Sequence, residues 1–402
     1  MAKRSDVTVV GGGAAGLTAA ISAARRGAAV DLCERLPRLG KKILATGGGR
    51  CNLSNEGLSP AAFTSTSRAL VASVLARFGR DDISRYFKGL GLEMRTEDGR
   101  VFPVTNQASS VLNLLEKEIR RLGVAVELGF EVAEVRISDG GFSVASADGR
   151  RLEARTVVIA GGGKSYPALG SNGSAYRLAQ TLGHRIVPPV PSAVPVLARD
   201  RICHLLQGVR TLARATAEVQ GQAAGSAEGE LLFTQYGLSG TAVLDVSEPI
   251  SIALNRDGLT SAVIVLDLVP FLTRNALASR LLKRIRDGWP TGDLASGILP
   301  EKFTAVVPEL LPAPARDPAS AAEALASALK EKRVTVYGTR GWNEAEFTTG
   351  GVDAREVEPR TLASKRQKGL YFAGEVFDVQ GPRGGYNLAW AWASGFIAGL
   401  TE

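Results

Sequence analysis

Cysteine is scarce in this chain: Cys33, Cys51 and Cys203 are the only three among 402 residues, and no two form a Cys-x-x-Cys pair. An odd number at such wide spacing builds neither a disulfide framework nor a zinc cage, and a reducing cytoplasm is the expected compartment. Long apolar runs are missing as well. The most apolar internal stretch, near Val263 to Val269, is short and carries Asp267, so no membrane span is expected. No dense Lys/Arg tract accompanies the formal net charge of +8. That charge admits an anionic partner such as RNA, but without aromatics among the basic residues it reads first as a solvated surface around a site for anionic small molecules. No internal repeat is visible. Lys3 and Arg4 ahead of an Ala-rich run imitate a signal peptide until Gly11 to Gly13 interrupt it.

What is present is a globular composition with glycine gathered into loops. Hydrophobic residues make up 45% and charged residues 22%, and 402 residues exceed one compact core, so two or three domains are expected. The 46 glycines are clustered rather than periodic, which points to functional loops. Asp6 to Val10 reads as a buried strand, Ala14 to Arg26 as a small-residue helix and Ala28 to Glu34 as a second strand. A Gly- and Lys-rich loop follows from Gly40 to Asn55, then a helical stretch from Ser67 to Leu90. Leu92 to Phe102 reads as a hairpin turning at Asp98-Gly99, and Ser109 to Leu122 as an amphipathic helix. Strands are expected at Ala125 to Val135, Phe142 to Ser146 and Thr156 to Ala160. Four prolines between Val187 and Pro195 mark a crossover into a second domain, with short β-like runs from Val190 to Leu268. Pro270 to Lys332 is helical, broken at Pro312 to Pro318. From Arg333 the β character returns, with a strand at Leu370 to Ala373 and a last helix from about Asn387 to Leu400.

The glycine pattern carries the chemistry. Gly11-Gly12-Gly13-Ala14-Ala15-Gly16 fits GxGxxG between a strand and a helix, and Glu34 ends the next strand. In that context Gly11 allows the tight turn, Gly13 lets backbone approach a pyrophosphate and Gly16 lets the helix pack on the sheet. The helix N-terminus offers free N–H groups to the phosphates, and Glu34 accepts from the adenosine ribose. The third strand of an NAD-type half is missing after Glu34. Instead Gly40-Lys41-Lys42 and Thr46 to Asn52, with Gly47, Gly48 and Gly49 in a row, form a second Gly-rich loop. Exposed N–H groups and fixed cations there suit a longer dinucleotide, FAD. Near the other end, Gly369 to Glu375 is a strand ending in Gly374-Glu375, where an acidic residue meets a ribityl hydroxyl. Gly381, Gly384, Gly385, Tyr386 and Asn387 then lead into the last helix, whose N-terminus is expected to face the flavin pyrimidine edge; the bland alternative is a loop capped through Asn387. The absence of Cys-x-x-Cys argues against a flavin-linked disulfide reductase.

Six runs together resemble the BaiN-like flavoproteins, a family that includes the YhiN proteins and the aminoacetone oxidases. They are GGGAAGLTAAISAARRG, GKKILATGGGRCNLSN, GRVFP, AGGGKSYPALGSNGSAYRLAQTLGH, GELLFTQYGLSG and GLYFAGEVFDVQGPRGGYNLAWAWASG, 102 of the 402 residues spread from Gly11 to Gly395. The resemblance implies an α/β protein: a discontinuous, glutathione-reductase-like FAD domain of Rossmann type, with an inserted β-rich domain and a helical subdomain. The expected boundaries are 1–187 and 333–402 for the two parts of the FAD domain, 188–269 for the β-rich insertion and 270–332 for the helical piece. The cofactor-binding set is Gly11, Gly13, Ala14, Ala15, Gly16, Glu34, Arg35, Lys42, Gly48, Gly49, Cys51, Asn52, Val132, Ala160, Gly161, Gly374, Glu375, Gly385, Asn387 and Leu388. The chain departs from the family in three places: Gln235 stands where a His commonly follows Phe-Thr, Thr241 where a Pro follows Gly-Leu-Ser-Gly, and Pro382-Arg383 where an acidic residue and Thr precede the final Gly-Gly.

Three functions follow as expectations. The first is a reductase passing hydride from NAD(P)H through FAD to an activated C=C bond; the resemblance includes members acting on enone steroids and on uracil in ribosomal RNA. The second is an oxidase or dehydrogenase of a small amine or other metabolite. The third is a flavin-bearing binding protein. Nicotinamide would bind transiently, since Gly161-Gly162-Gly163 follows a strand but Ser165-Tyr166-Pro167 breaks any helix there and no second complete GxGxxG unit exists. Arg383 and Tyr386 are the candidate catalytic residues, the substrate is expected to be a small molecule, and no metal is expected.

Overall fold

The computed structural model describes residues 4–311 and 317–401. The chain divides into two compact units, Met1–Pro189 with Phe347–Glu402, and Val190–Glu346.

In the first unit a five-strand parallel layer forms around Ser5–Val10. It pairs with Val30–Glu34 on one side and Arg151–Ile159 on the other; Ala125–Leu128 extends the first side and Leu370–Phe372 the second. Val9, Leu32, Val158 and Phe372 are all fully buried, which is why these strands are continuous apolar runs rather than alternating ones. Gly141–Ser146 adds antiparallel to the early half of Arg151–Ile159, and Val132–Ser138 adds to that. Ala14–Arg25 is the first helix and Tyr386–Gly399 the last, and the two pack backbone to backbone. A Cβ at Gly395 or Gly399 would lie 2.3 Å from the carbonyl oxygen of Ala15 or Ala19, and Ser22 Oγ donates to Phe396 O at 2.8 Å. The hairpin appears with strands Met94–Glu97 and Arg100–Pro103, and Asp98 and Gly99 both take positive φ, as the turn demands.

Several elements differ from the sequence reading. Ser67 to Leu90 is two helices, Arg68–Arg77 and Arg80–Gly89, because the Gly79 N–H bonds Asp82 Oδ2 and starts a new helix. Ala125 to Val135 breaks at Gly129, where φ is +61°. The Gly40 to Asn55 loop contains the short helix Lys41–Ala45. Pro188, Pro189 and Pro191 lie in a strand, Ile186–Ser192, which pairs with Phe347–Val352 in a two-stranded sheet, and Pro195 follows it.

The second unit is a closed six-stranded barrel in the order Val196–Ala198, Gly237–Ser239, Gln222–Thr234, Arg210–Val219, Ala262–Asp267, Lys332–Thr339. Lys332–Thr339 closes it by pairing with both Ala262–Asp267 and Val196–Ala198 while burying Val334 and Val336. The stretch from 333 to 346 therefore belongs with the barrel and not with the returning FAD unit. The helices Arg274–Arg286 and Pro318–Lys330 share the barrel's apolar core rather than forming a separate piece. Thr241–Asn255 is a 15-residue helix inside what reads as β sequence; Pro249 in its middle and its serines disguise it. The break expected at Pro312 to Pro318 lies outside the described residues up to 316. Beyond it Pro318 opens a helix, with Asp317 Oδ1 accepting from Ala319 N and Ser320 N.

Candidate functional site

Ser5–Val10 has its two parallel neighbours connected in opposite directions, so its C-terminal end is the switch point where a doubly wound sheet opens a crevice. Gly11 sits there with φ +109°, and a Cβ on it would lie 2.6 Å from Ala160 O, beside Gly161. A Cβ at Gly16 would lie 1.7 Å from Gly11 O, so only glycine lets this helix approach its own turn. Gly13, by contrast, has no protein atom within 4 Å of its Cβ direction. It precedes a helix start that no side chain caps, with Ala14 and Ala15 supplying the first N–H groups. That is a cradle with open approach and unpaired donors, the form a pyrophosphate fits.

Glu34 stands opposite and is buried. Its Oε2 accepts from Gly12 N and its Oε1 from Leu36 N, both at 2.8 Å. Burial raises its pKa, while those backbone donors pull the other way. Each carboxylate oxygen keeps a further lone pair for a ribose hydroxyl. Arg35 turns to Gly170 O at 3.4 Å and to Glu131 at 3.5 Å. Val132 is a buried strand start, and Leu388 lies in the first turn of the last helix, partly buried.

The second Gly-rich loop is held in an unusual backbone: Gly47, Gly48, Gly49 and Cys51 all have positive φ. Arg50 lies over the Phe102 ring at 4.3 Å and reaches Glu97 at 3.4 Å. Cys51 is fully buried, and burial pushes its thiol up to about 12, so it is no nucleophile. Asn52 is buried beside it.

The C-terminal motif meets both loops. A Cβ on Gly374 would touch Ala15 Cβ at 2.7 Å, and Gly374 N donates to Ser394 Oγ at 2.9 Å. Glu375 is fastened by the protein itself: Oε2 accepts from Lys42 Nζ at 2.7 Å, and Oε1 accepts from Ser165 Oγ at 3.2 Å and Thr348 N at 3.0 Å. Lys42 Nζ also donates to Ser165 Oγ at 2.7 Å, and Thr348 Oγ1 accepts from Lys164 N and Ser165 N. Ser165 and Thr348 are new to the site. Ser165 shows in sequence only as part of a helix-breaking triplet, and Thr348 carries no local signal.

Asn387 does not cap the last helix. Its Oδ1 accepts from Gly381 N at 2.9 Å and its Nδ2 donates to Gly381 O at 2.8 Å, so it closes the preceding loop. Asn55 Nδ2 holds Gly384 O at 2.9 Å, and Tyr386 OH reaches Asn55 Oδ1 at 3.3 Å. Arg383 lies half-buried in that loop. The open cradle at Gly13, the acceptor Glu34 and the uncapped last helix fit FAD. Among the described residues no group of three His, Cys, Asp or Glu is placed to hold a metal ion, and no helix is long and apolar enough to cross a membrane.

Comparison with known proteins agrees with this geometry. The family described as HI0933-like protein Rossmann domain matches residues 5–401. A 3-dehydro-bile acid delta(4,6)-reductase of Clostridium scindens is 38% identical over 98% of both chains. A ribosomal RNA dihydrouridine synthase of Escherichia coli is 33% identical over 98% of this chain and 96% of its own. Among solved structures, a 3-ketosteroid delta1-dehydrogenase from Sterolibacterium denitrificans covers 99% of both chains with a TM-score of 0.51 at 13% identity, a likeness of fold alone.

Proposed function

The chain belongs to the HI0933-like Rossmann family, and from that premise we propose that this FAD-dependent oxidoreductase moves hydride from NAD(P)H to an activated C=C bond of a small molecule. The observation that carries the reaction class is the chemistry two full-length relatives share. A bile-acid delta(4,6)-reductase and a dihydrouridine synthase both saturate a C=C bond conjugated to a carbonyl, on unrelated substrates.

Bound FAD supplies the two-electron hydride chemistry. The chain's own residues bind and orient. The Gly13 cradle and the first helix receive the pyrophosphate, and Glu34 takes the adenosine ribose. Lys42, Ser165 and Thr348 brace Glu375, which ties the second Gly-rich loop to the C-terminal strand. Arg383 and Tyr386 border the loop before the last helix and are the groups we assign to substrate contact. With one complete GxGxxG unit in the sequence, given to FAD in this reading, NAD(P)H is expected to bind transiently.

Anaerobic mixing with NADPH tests this. Fast bleaching of the yellow protein, reversed on adding a conjugated enone, is the expected result. Slow or absent bleaching points instead to an oxidase or dehydrogenase of a small amine or other metabolite. A second reading, reduction of uracil in ribosomal RNA, is favoured by the Escherichia coli relative and by the charge distribution. Val190–Glu346 carries 16 Lys/Arg against 17 Asp/Glu, so the net +8 comes entirely from the FAD unit, 32 against 23. Dihydrouridine formed in unmodified ribosomal RNA by the NADPH-reduced protein would establish that reading.

A further inference from the structure

The last helix, Tyr386–Gly399, begins at Gly385 with φ +102° and has no side-chain cap. Its first helical bond is Ala389 N to Gly385 O at 2.9 Å, which leaves the N–H groups of Tyr386, Asn387 and Leu388 without a carbonyl from their own helix. Asn387, the residue suited to cap it, is engaged with Gly381.

A second group faces this helix start. Asn52, from the Gly-rich loop at the opposite end of the chain, is 9% exposed, and its Oδ1 is buried with no hydrogen-bond partner among the described residues. A Cβ on Gly385, the residue just before the helix, would lie 2.7 Å from that oxygen, so the acceptor sits beside the helix start. A buried amide oxygen that has left water and found no donor is a cost the fold retains only where something meets it. Donors on the helix side and an acceptor on the Asn52 side lie next to each other. Their complement is a carbonyl next to an N–H, the edge of an imide.

We infer that the Asn52 side-chain amide reads the imide edge of the flavin ring, accepting its N3–H while the N-terminal N–H groups of Tyr386–Gly399 receive the adjacent carbonyl. This rests on the FAD reading above and deepens it. The two ends of the chain then share one ring: the N-terminal loop holds the acceptor and the C-terminal helix the donors. Gly385 is required by its φ of +102° and because a Cβ there would lie 2.4 Å from Ser54 O and 2.7 Å from Asn52 Oδ1.

The test is titration of apoprotein with FAD and with 3-methyl-FAD, in which a methyl replaces the N3 hydrogen, followed by quenching of flavin fluorescence. Native protein is expected to bind FAD about tenfold more tightly than 3-methyl-FAD, the weight of one hydrogen bond. Asn52→Ala is expected to weaken FAD about tenfold and leave 3-methyl-FAD unchanged, so the preference disappears. Asn52→Asp, which keeps an acceptor, is expected to retain part of it. Apoprotein melting separates this from a structural role: because Oδ1 has no partner among the described residues, Asn52→Ala apoprotein should melt no lower than native. Equal weakening of both flavins, or a clear drop in apoprotein melting temperature, overturns the inference. Native protein that takes up neither flavin overturns the FAD reading itself, and the inference with it.

Discussion

At the scale of single residues, Glu34 and Arg383 play opposite parts. Glu34 is locked by Gly12 N–H and Leu36 N–H, so its carboxylate geometry is set before any ligand arrives. Glu34→Ala should weaken FAD binding on the order of 1.5–3 kcal/mol, measured by titration of apoprotein, the range for charge-assisted hydrogen bonds. Unchanged affinity would show that the ribose is held elsewhere. Arg383 sits where the family pattern has an uncharged residue, and its planar fork stays charged at any working pH. Arg383→Ala should leave FAD content unchanged while altering the flavin reduction potential or the KM for substrate, and Arg383→Lys should restore only part, since it keeps charge and loses the fork. Native potential, turnover and KM in Arg383→Ala would remove any functional role for it.

At the scale of elements, the site depends on two helices pressed together. On the FAD reading proposed above, the first helix offers its N-terminus to the pyrophosphate and the last helix offers its own to the ring; their backbones touch, which fixes the two ends relative to each other. Gly395 and Gly399 make that possible: a Cβ at either would lie 2.3 Å from a carbonyl oxygen of the first helix, and backbone cannot step aside as a flexible side chain does. Gly395→Ala should lower stability by about 1–3 kcal/mol, the range for overpacking, and should lower FAD content with it. A variant that keeps native melting temperature and full FAD content would show that the helices move apart freely. The brace of Lys42, Ser165, Thr348 and Glu375 works at the same scale, since it joins a helix, a loop, a strand and a turn that share no sequence neighbourhood.

For the molecule as a whole, two outcomes follow from its assembly. The protein should be yellow and release FAD, not FMN, on denaturation, because the Gly13 cradle and Glu34 have no counterpart in a mononucleotide; chromatography of the released cofactor decides this. The second outcome is acid sensitivity. His184 is a fully buried side chain, with Nε2 2.8 Å from Ser364 Oγ and Nδ1 3.2 Å from Glu356. Burial pushes its pKa below the ordinary 6.5, against the pull of Glu356. The unfolded chain then takes up a proton more readily than the folded one, so this contribution is complete above pH 6.5 and is lost as pH falls from there through the folded value. Glu118, held down to about 2 by Arg121 and Arg25, adds a second loss as pH falls below its ordinary 4.5. Melting temperature should therefore decline in two steps on acidification, and His184→Asn should flatten the first. A melting temperature flat from pH 7 to about 5.5 would contradict the His184 account.

The sequence by itself determined the dinucleotide turn, the acidic residue after it and the hairpin at Asp98-Gly99. Each rests on the backbone conformation of neighbouring residues: Gly11, Gly16 and Gly99 are needed where they stand because of φ or of contact within a short span of chain. Only the tertiary structure decided what those pieces meet. Lys42 and Glu375 pair across 333 residues, and Leu370–Phe372 takes its place beside Arg151–Ile159, because the chain leaves the FAD unit and returns to it. Lys332–Thr339 is β-like wherever it lies, and only closure of the barrel assigns it to the insertion. Thr241–Asn255 is helical despite Pro249, with Ala242, Val243, Val246 and Ile250 all buried, because packing outweighs local propensity. Asn387 has the chemistry of a cap, but its side chain is engaged with Gly381, which leaves the helix without a side-chain cap.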